Sequence, residues 1–136
     1  DYEYTPPPGE PFFEDVTSLL STNPTQLNYG VAVTDTNGNG KLEFFVAGYG
    51  AANQAFEWNG AAYVDVAKGS ATLQDASSKA IGVAACDVDG DGDEELYILN
   101  TDQYSGSTST SDRLVARDGD ARPCPPRVAS SGTSRI

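Results

Sequence analysis

Between Asp87 and Glu95 the sequence reads DVDGDGDEE, six carboxylates in nine residues. Asp87, Asp89 and Asp91 alternate, Gly92 stands at the sixth place and Glu95 at the ninth. Acids this crowded repel one another, and they persist at a turn when a hard divalent cation neutralises them. The order of groups says more than the charge. Side-chain oxygens at positions 1, 3 and 5, a main-chain carbonyl at position 7 (here Asp93) and a glycine for the tight turn wrap a short loop about one calcium ion. An EF-hand needs a bidentate Glu at position 12 and a helix on each side. Position 12 here is Ile98, inside the apolar run 96–99, and the last acid comes at position 9 instead. Residues 81–86, short, apolar and partly β-branched, precede the loop, so the ion is expected between two strands. The competing reading is a solvated acidic turn that binds nothing.

A second loop of the same design lies upstream. Asp35, Asn37, Asn39, Lys41 and Glu43 hold the corresponding five places in DTNGNGKLE, Lys41 offering only its carbonyl. Adding 52 to each number lays Gly30 on Gly82, Asp35 on Asp87, Gly38 on Gly90, Gly40 on Gly92 and Glu43 on Glu95. Seven of the seventeen positions from 30 to 46 are identical in the two copies, so the chain contains an internal repeat of about 50 residues, in the range of propellers and arrays. One or two calcium ions are implied. The downstream loop brings four charged side chains (Asp87, Asp89, Asp91, Glu95) and the upstream loop two (Asp35, Glu43), so the downstream site is expected to be the tighter.

The elements that must position these loops follow from patterning. Residues 28–34 and 44–47 read as strands on either side of the first loop, and residues 54–58 and 61–66 as two more joined by Asn59-Gly60, a strong hairpin signal because both turn residues accept positive φ. One repeat therefore supplies four antiparallel strands, which is a propeller blade. The second repeat follows the plan through 96–99, inserts the polar loop 104–111, and resumes at 113–117, with Asp118-Gly119 in the place of Asn59-Gly60. Its fourth strand falls on Ala121-Arg122-Pro123-Cys124-Pro125-Pro126-Arg127, and proline cannot donate to a ladder, so the second blade is expected to lack its outer strand. Conversely, residues 12–17 read as a single strand resembling 63–66, an outer strand to spare. Before it, Pro6-Pro7-Pro8 makes residues 1–11 an extended arm.

Composition narrows the function. The chain has 136 residues, one domain's worth, and a net charge of −12, which argues against nucleic acid. Residues 1–112 hold 18 acids and 3 lysines, whereas 113–136 hold all five arginines, so an acidic body carries a basic tail that can attract its own kind. With no histidine, Ser-His and Cys-His catalysis are excluded within the chain. No apolar run is long enough to cross a bilayer. The start at Asp1 without Met implies a removed signal peptide or an excised fragment. Cys86 and Cys124 permit one disulfide or two separate thiols. Trp58 and Tyr63 read as cross-strand packing.

The pairing of GVAVTDTNGNGKLE with GVAACDVDGDGDEE, followed by a hairpin, resembles the FG-GAP (VCBS-type) repeats of integrin α-like β-propellers, and within them the cartilage acidic protein-like branch. The resemblance covers residues 12–116. It implies calcium loops within blades, seven such repeats in a closed ring, and a secreted or cell-surface binding module. The resulting expectation is an all-β, incomplete propeller: an arm at 1–11, two blades over 12–120 (repeats near 27–67 and 80–120) and an irregular basic tail at 121–136. The expected function is a non-catalytic extracellular calcium-binding adhesion or structural module with no membrane insertion. Its expected partners are other extracellular proteins or itself, head to tail, by donation of the spare strand. The alternatives are a fragment of a full propeller that binds a ligand and an accessory domain of a secreted hydrolase or lyase. Catalysis would require Glu57, Asp65, Asp75 or Asp102 to line a concave pocket with another carboxylate.

Overall fold

The computed structural model describes residues 5, 8–9, 13–101 and 110–116. Among the described residues, seven strands form two antiparallel sheets: β1 (Asn28–Thr34), β2 (Glu43–Gly48), β3 (Gln54–Trp58) and β4 (Tyr63–Asp65) in the first, β5 (Ala80–Cys86), β6 (Glu95–Asn100) and β7 (Arg113–Val115) in the second. Each sheet runs in simple sequence order. The expected all-β architecture of two propeller-type blades, without a closed ring, is what the described residues adopt.

The two blades obey the same register. Thr34 pairs with Glu43 and Val33 with Phe44 in blade 1, as Cys86 pairs with Glu95 and Ala85 with Leu96 in blade 2, and both hairpins carry a bulge at the start of the inner strand, before Gly30 and before Gly82. Strand side chains alternate between faces. One face of blade 1 therefore presents Ala32, Phe45, Ala47 and Ala55, and it packs on Leu96 and Ile98 of blade 2, with Val83, Ala85 and Val115 at the margin. Most of the core residues of blade 1 are alanines, which let the sheets come close around Phe45 and Ile98, both fully buried. The closest approach is at Gly30, where a Cβ would lie 3.1 Å from Gly82 Cα and 3.1 Å from the Val83 nitrogen. Only a glycine fits there without displacing backbone.

The connection between blades is more structured than the sequence suggested. A 3-10 turn (Val66–Gly69) and a short helix α1 (Ala71–Gln74) follow β4. Buried Asp65 accepts from Ala55 N and Ala67 N, each at 3.2 Å, fixing the start of the 3-10 turn, and Ser70 Oγ caps α1 by accepting from Leu73 N. Buried Asn53 accepts from Gly48 N at 2.8 Å and donates to the Leu73 carbonyl at 3.1 Å, tying α1 to blade 1. Asp75 ends the helix with φ of 37° and turns its buried carboxylate to Arg113 Nε (2.8 Å) and Asn100 Nδ2 (3.1 Å) of blade 2. Links of this kind at both ends hold the blades in one arrangement.

Two expectations need correction. Residues 13–16 form no strand; the segment runs irregularly into a 3-10 turn (Thr17–Leu19). Past that turn, Leu20 makes an isolated parallel bridge to Tyr63, Ser21 N donates to the Tyr63 carbonyl, and Ser21 Oγ accepts from Asp65 N at 3.4 Å. The backbone is spent locally instead: Thr17 N donates to Asp15 Oδ1, and Leu19 and Leu20 N to the carbonyls of Val16 and Thr17. Second, the Asn59-Gly60 connection is a four-residue loop, not a two-residue turn. Gly60 has φ of 101°, but Asn59 does not lie at positive φ; its side chain instead accepts from Ala61 N and Ala62 N at 3.0 and 2.9 Å. Asparagine is chosen here for its side-chain acceptor rather than its backbone freedom. Phe12, the bulk of the arm, most of the polar loop 104–111, Asp118-Gly119, the proline-broken stretch and Cys124 lie outside the described residues.

On blade 2, Asp112 ties the start of β7 to β6 by accepting from Tyr97 Oη (2.7 Å) and Asn100 N (2.9 Å). The Tyr97 hydrogen bond, then the Asn100 one, hold the Asp112 carboxyl below its ordinary value, and the same contact pushes Tyr97 above its own. A lowered acid stabilises the fold above its unfolded value of about 3.9 and loses that contribution as pH falls through the lowered folded value; a raised tyrosine contributes below about 10 and loses it as pH rises. Tyr97→Phe should therefore flatten the alkaline edge of a melting-temperature profile and soften the acid edge, where the Asn100 contact remains. An unchanged profile would show the pair to be irrelevant to stability.

Candidate metal centre

Each acidic loop joins the two innermost strands of its blade, β1 to β2 and β5 to β6. Gly38 and Gly40 have φ of 72° and 79°, Gly90 and Gly92 of 81° and 98°. These left-handed positions let the loop curl so that successive amides point at one side chain. Asp87 Oδ1 accepts from Gly90 N at 2.6 Å and Oδ2 from Gly92 N at 3.0 Å; Asp35 does the same with Gly38 N and Gly40 N, both at 2.7 Å. At the third place Asp89 accepts from Asp91 N (3.2 Å) and Asn37 from Asn39 N (3.1 Å). At the fifth, Asp91 accepts from Asp93 N and Asn39 from Lys41 N, both at 2.8 Å. The two loops thus share one hydrogen-bond map although three of these five ligand places differ in residue type.

The ninth place decides the shape of the site. Glu43 opens β2 with the same parity as Phe45 and Ala47, and Glu95 opens β6, so both project from a strand end under the loop and are buried, 1% and 3% exposed. One oxygen of each is anchored: Glu95 Oε2 accepts from Val88 N at 2.9 Å, and Glu43 Oε2 from Thr36 N and Oγ1, both at 2.8 Å. The other oxygen of Glu43, Oε1, is buried with no hydrogen-bond partner. A buried carboxylate oxygen left without a donor is costly, and a cation in the loop is the group that would complete it.

Of the sequence-derived ligands, the structure brings Asp87, Asp89 and Glu95 together, each with a carboxylate oxygen within 4.8 Å of the others'. Asp91 stands outside this trio. Asp93 and Lys41 hold the seventh place, where a carbonyl is the only ligand asked of them. In the upstream loop Asp35 also accepts from Asn39 N at 3.1 Å; burial works to raise its pKa, but the amides of Gly40, Gly38, Asn39 and Asn37 outweigh it and keep the carboxyl below its ordinary value. A carboxylate so held stays charged and oriented.

Sequence reasoning missed the supporting residues. Thr36 positions Glu43 through both its amide and its hydroxyl, and Glu57 Oε1 accepts from Asn39 Nδ2 at 3.3 Å, linking the loop to β3. The inward parity of Glu43 with Phe45 was the available signal for its burial. Beside the loops a cleft of about 460 Å³ opens between the blades, with Thr36, Asn37, Glu57, Glu94 and Leu73 in its walls. Glu57 and Glu94 thus meet the stated condition for a carboxylate pair. Asp65 and Asp75 do not, because their carboxylates are consumed by the amides and Arg113 described above. Asp102 lies outside the described residues.

A profile described as an FG-GAP-like repeat matches residues 35–98, from the first loop to the middle of β6. The chain is also similar to cartilage acidic protein 1 of Mus musculus, 44% identical over 119 residues, and to the Xenopus tropicalis and Homo sapiens proteins of the same name, each 43% identical over the same length. Each comparison covers 78% of this chain, which spans 18% of the length of those relatives. Among the described residues no helix is long and apolar enough to cross a membrane.

Proposed function

Because residues 35–98 belong to the FG-GAP-like repeat family, we propose that this chain is a non-catalytic, extracellular, matrix-type module whose blades are rigidified by calcium. The single observation that most supports the ion is the ninth-place glutamate, buried beneath each loop, with Glu43 Oε1 lacking any donor. Asp87, Asp89, Asp91, Glu95 and the Asp93 carbonyl are the ligands of one ion. Asp35, Asn37, Asn39, Glu43 and the Lys41 carbonyl are those of the other. A hard cation with several flexible oxygen ligands suits both, and millimolar extracellular calcium suits a structural site of this kind. Secretion follows from that requirement and is part of the same reading.

The observation that favours an enzyme is the presence of Glu57 and Glu94 in one cleft. Glu57 is already engaged by Asn39 of the upstream loop, which makes it a support for the ion site rather than an acid or base. Within a larger propeller the same cleft would be a place for a ligand. Self-association by donation of residues 12–16 has in its favour the exposure of Phe13 and Val16, 85% and 49%.

Isothermal calorimetry on the metal-free chain tests the assignment. Two calcium sites are expected, the tighter one abolished by Asp87→Asn with Asp89→Asn and the weaker one by Glu43→Gln, since four ligand charges bind more strongly than two. Equal affinities, or loss of the tighter site in Glu43→Gln, contradict the ordering; no heat of binding at all removes the calcium reading.

A further inference from the structure

We propose that Glu57, on β3 of blade 1, is the positioning residue of the upstream ion site: it fixes the Asn39 side-chain amide so that its oxygen, and not its nitrogen, is offered to the ion. This rests on the calcium reading above and explains how a loop with amides at two of its ligand places can still serve a cation. An aspartate can turn either end toward a cation, because both ends are acceptor oxygens. An asparagine has one such end, and its other end carries two N–H donors that a cation repels.

The bonds around Asn39 select one orientation. Its Oδ1 accepts from Lys41 N at 2.8 Å, as Asp91 Oδ1 accepts from Asp93 N in the other loop. Its Nδ2 donates to Glu57 Oε1 at 3.3 Å, across to a different strand. A reversed amide would set its own N–H groups against the Lys41 N–H and its oxygen against the Glu57 carboxylate. Both contacts would turn repulsive, so Glu57 and the loop amide act together on one side chain.

The second blade supplies an independent observation. Phe44 pairs with Phe56 and Leu96 with Val115, and residues 44 and 96 are one repeat apart. The next residue in each case, Glu57 or Ala116, therefore holds the same place at the loop end of its sheet. Blade 1 has asparagine at the fifth ligand place and glutamate on the strand; blade 2 has aspartate and alanine. The crossed combinations fail: an alanine at 57 would leave the Asn39 amide without its anchor, and a glutamate at 116 would bring a carboxylate up to that of Asp91. The strand residue thus matches what its loop needs.

Calorimetry with calcium alone on the whole metal-free chain tests this. Glu57→Ala should weaken the upstream site about tenfold, in the range for residues that orient a metal ligand, and leave the downstream site unchanged. Glu57→Gln keeps an acceptor for Nδ2 without the charge and should bind closer to wild type than to Glu57→Ala. Asn39→Asp combined with Glu57→Ala, the arrangement of blade 2, should restore the upstream affinity. Without calcium, the Asn39 side-chain amide protons should exchange slowly by NMR in the wild type and faster in Glu57→Ala, with the circular dichroism spectrum unchanged. The proposal is overturned by an upstream affinity indifferent to Glu57→Ala, by Glu57→Gln as weak as Glu57→Ala, by a double variant that stays weak, or by amide exchange that ignores residue 57. In each of those cases two wild-type binding events would leave the calcium reading standing. A wild-type chain that binds no calcium removes both.

Discussion

Millimolar calcium should raise the melting temperature of the metal-free chain by several degrees, and chelation should reverse the shift. Asp87, Asp89 and Glu95 converge within 4.8 Å of one another, and Glu43 leaves one buried oxygen without a partner, so the metal-free fold carries both like-charge repulsion and an unmet acceptor at the points where its hairpins are joined. An ion relieves both. A site whose dissociation constant is a tenth of the calcium concentration contributes about 1.4 kcal/mol by mass action, and two such sites about twice that. For a domain of this size each kcal/mol moves the midpoint by a few degrees. Glu43→Gln should remove the upstream share of the shift, and Asp87→Asn with Asp89→Asn the downstream share. A melt that ignores calcium and chelator alike would rule out a structural role for the loops.

Phe45→Ala should be the most damaging single substitution, costing about 3–5 kcal/mol, as expected for truncating a fully buried aromatic ring. Stabilities of single domains are only about 5–15 kcal/mol, so the variant is expected to melt at or near room temperature. Phe45 lies at the centre of the contact between the blades, among alanines that cannot collapse into the space it leaves. Tyr97 holds the same place in the second repeat and is 42% exposed, so Tyr97→Ala should cost far less in the monomer: the Asp112 hydrogen bond and little burial. Denaturant melts of the two variants at low protein concentration make the comparison. Similar losses at 45 and 97 would mean that the blade contact is not the seat of stability.

The loops were legible from the sequence because their chemistry is local. DxDxDG and its Asp/Asn counterpart fix which side chain accepts from which amide within nine residues, and the glycines at the fourth and sixth places supply the positive φ that the turn demands. The offset of 52 likewise made the strand pairs of both blades readable, since the register follows from a hairpin that closes on itself. The turn at Asn59-Gly60 was legible in place and misjudged in kind, because asparagine serves turns equally by φ and by its side-chain oxygen and only the backbone path selects between them.

Tertiary structure alone decided the rest. Residues 13–16 carry a strand-like pattern, but a pattern yields a strand only where a partner edge is available, and here Asp15 and the 3-10 turn satisfy the backbone first. Phe45 and Tyr97, Gly30 and Gly82, are equivalents in the repeat and were indistinguishable in the sequence. One of each pair is enclosed and the other open, because burial depends on which blade has a neighbour, and a repeat specifies its faces without specifying what covers them.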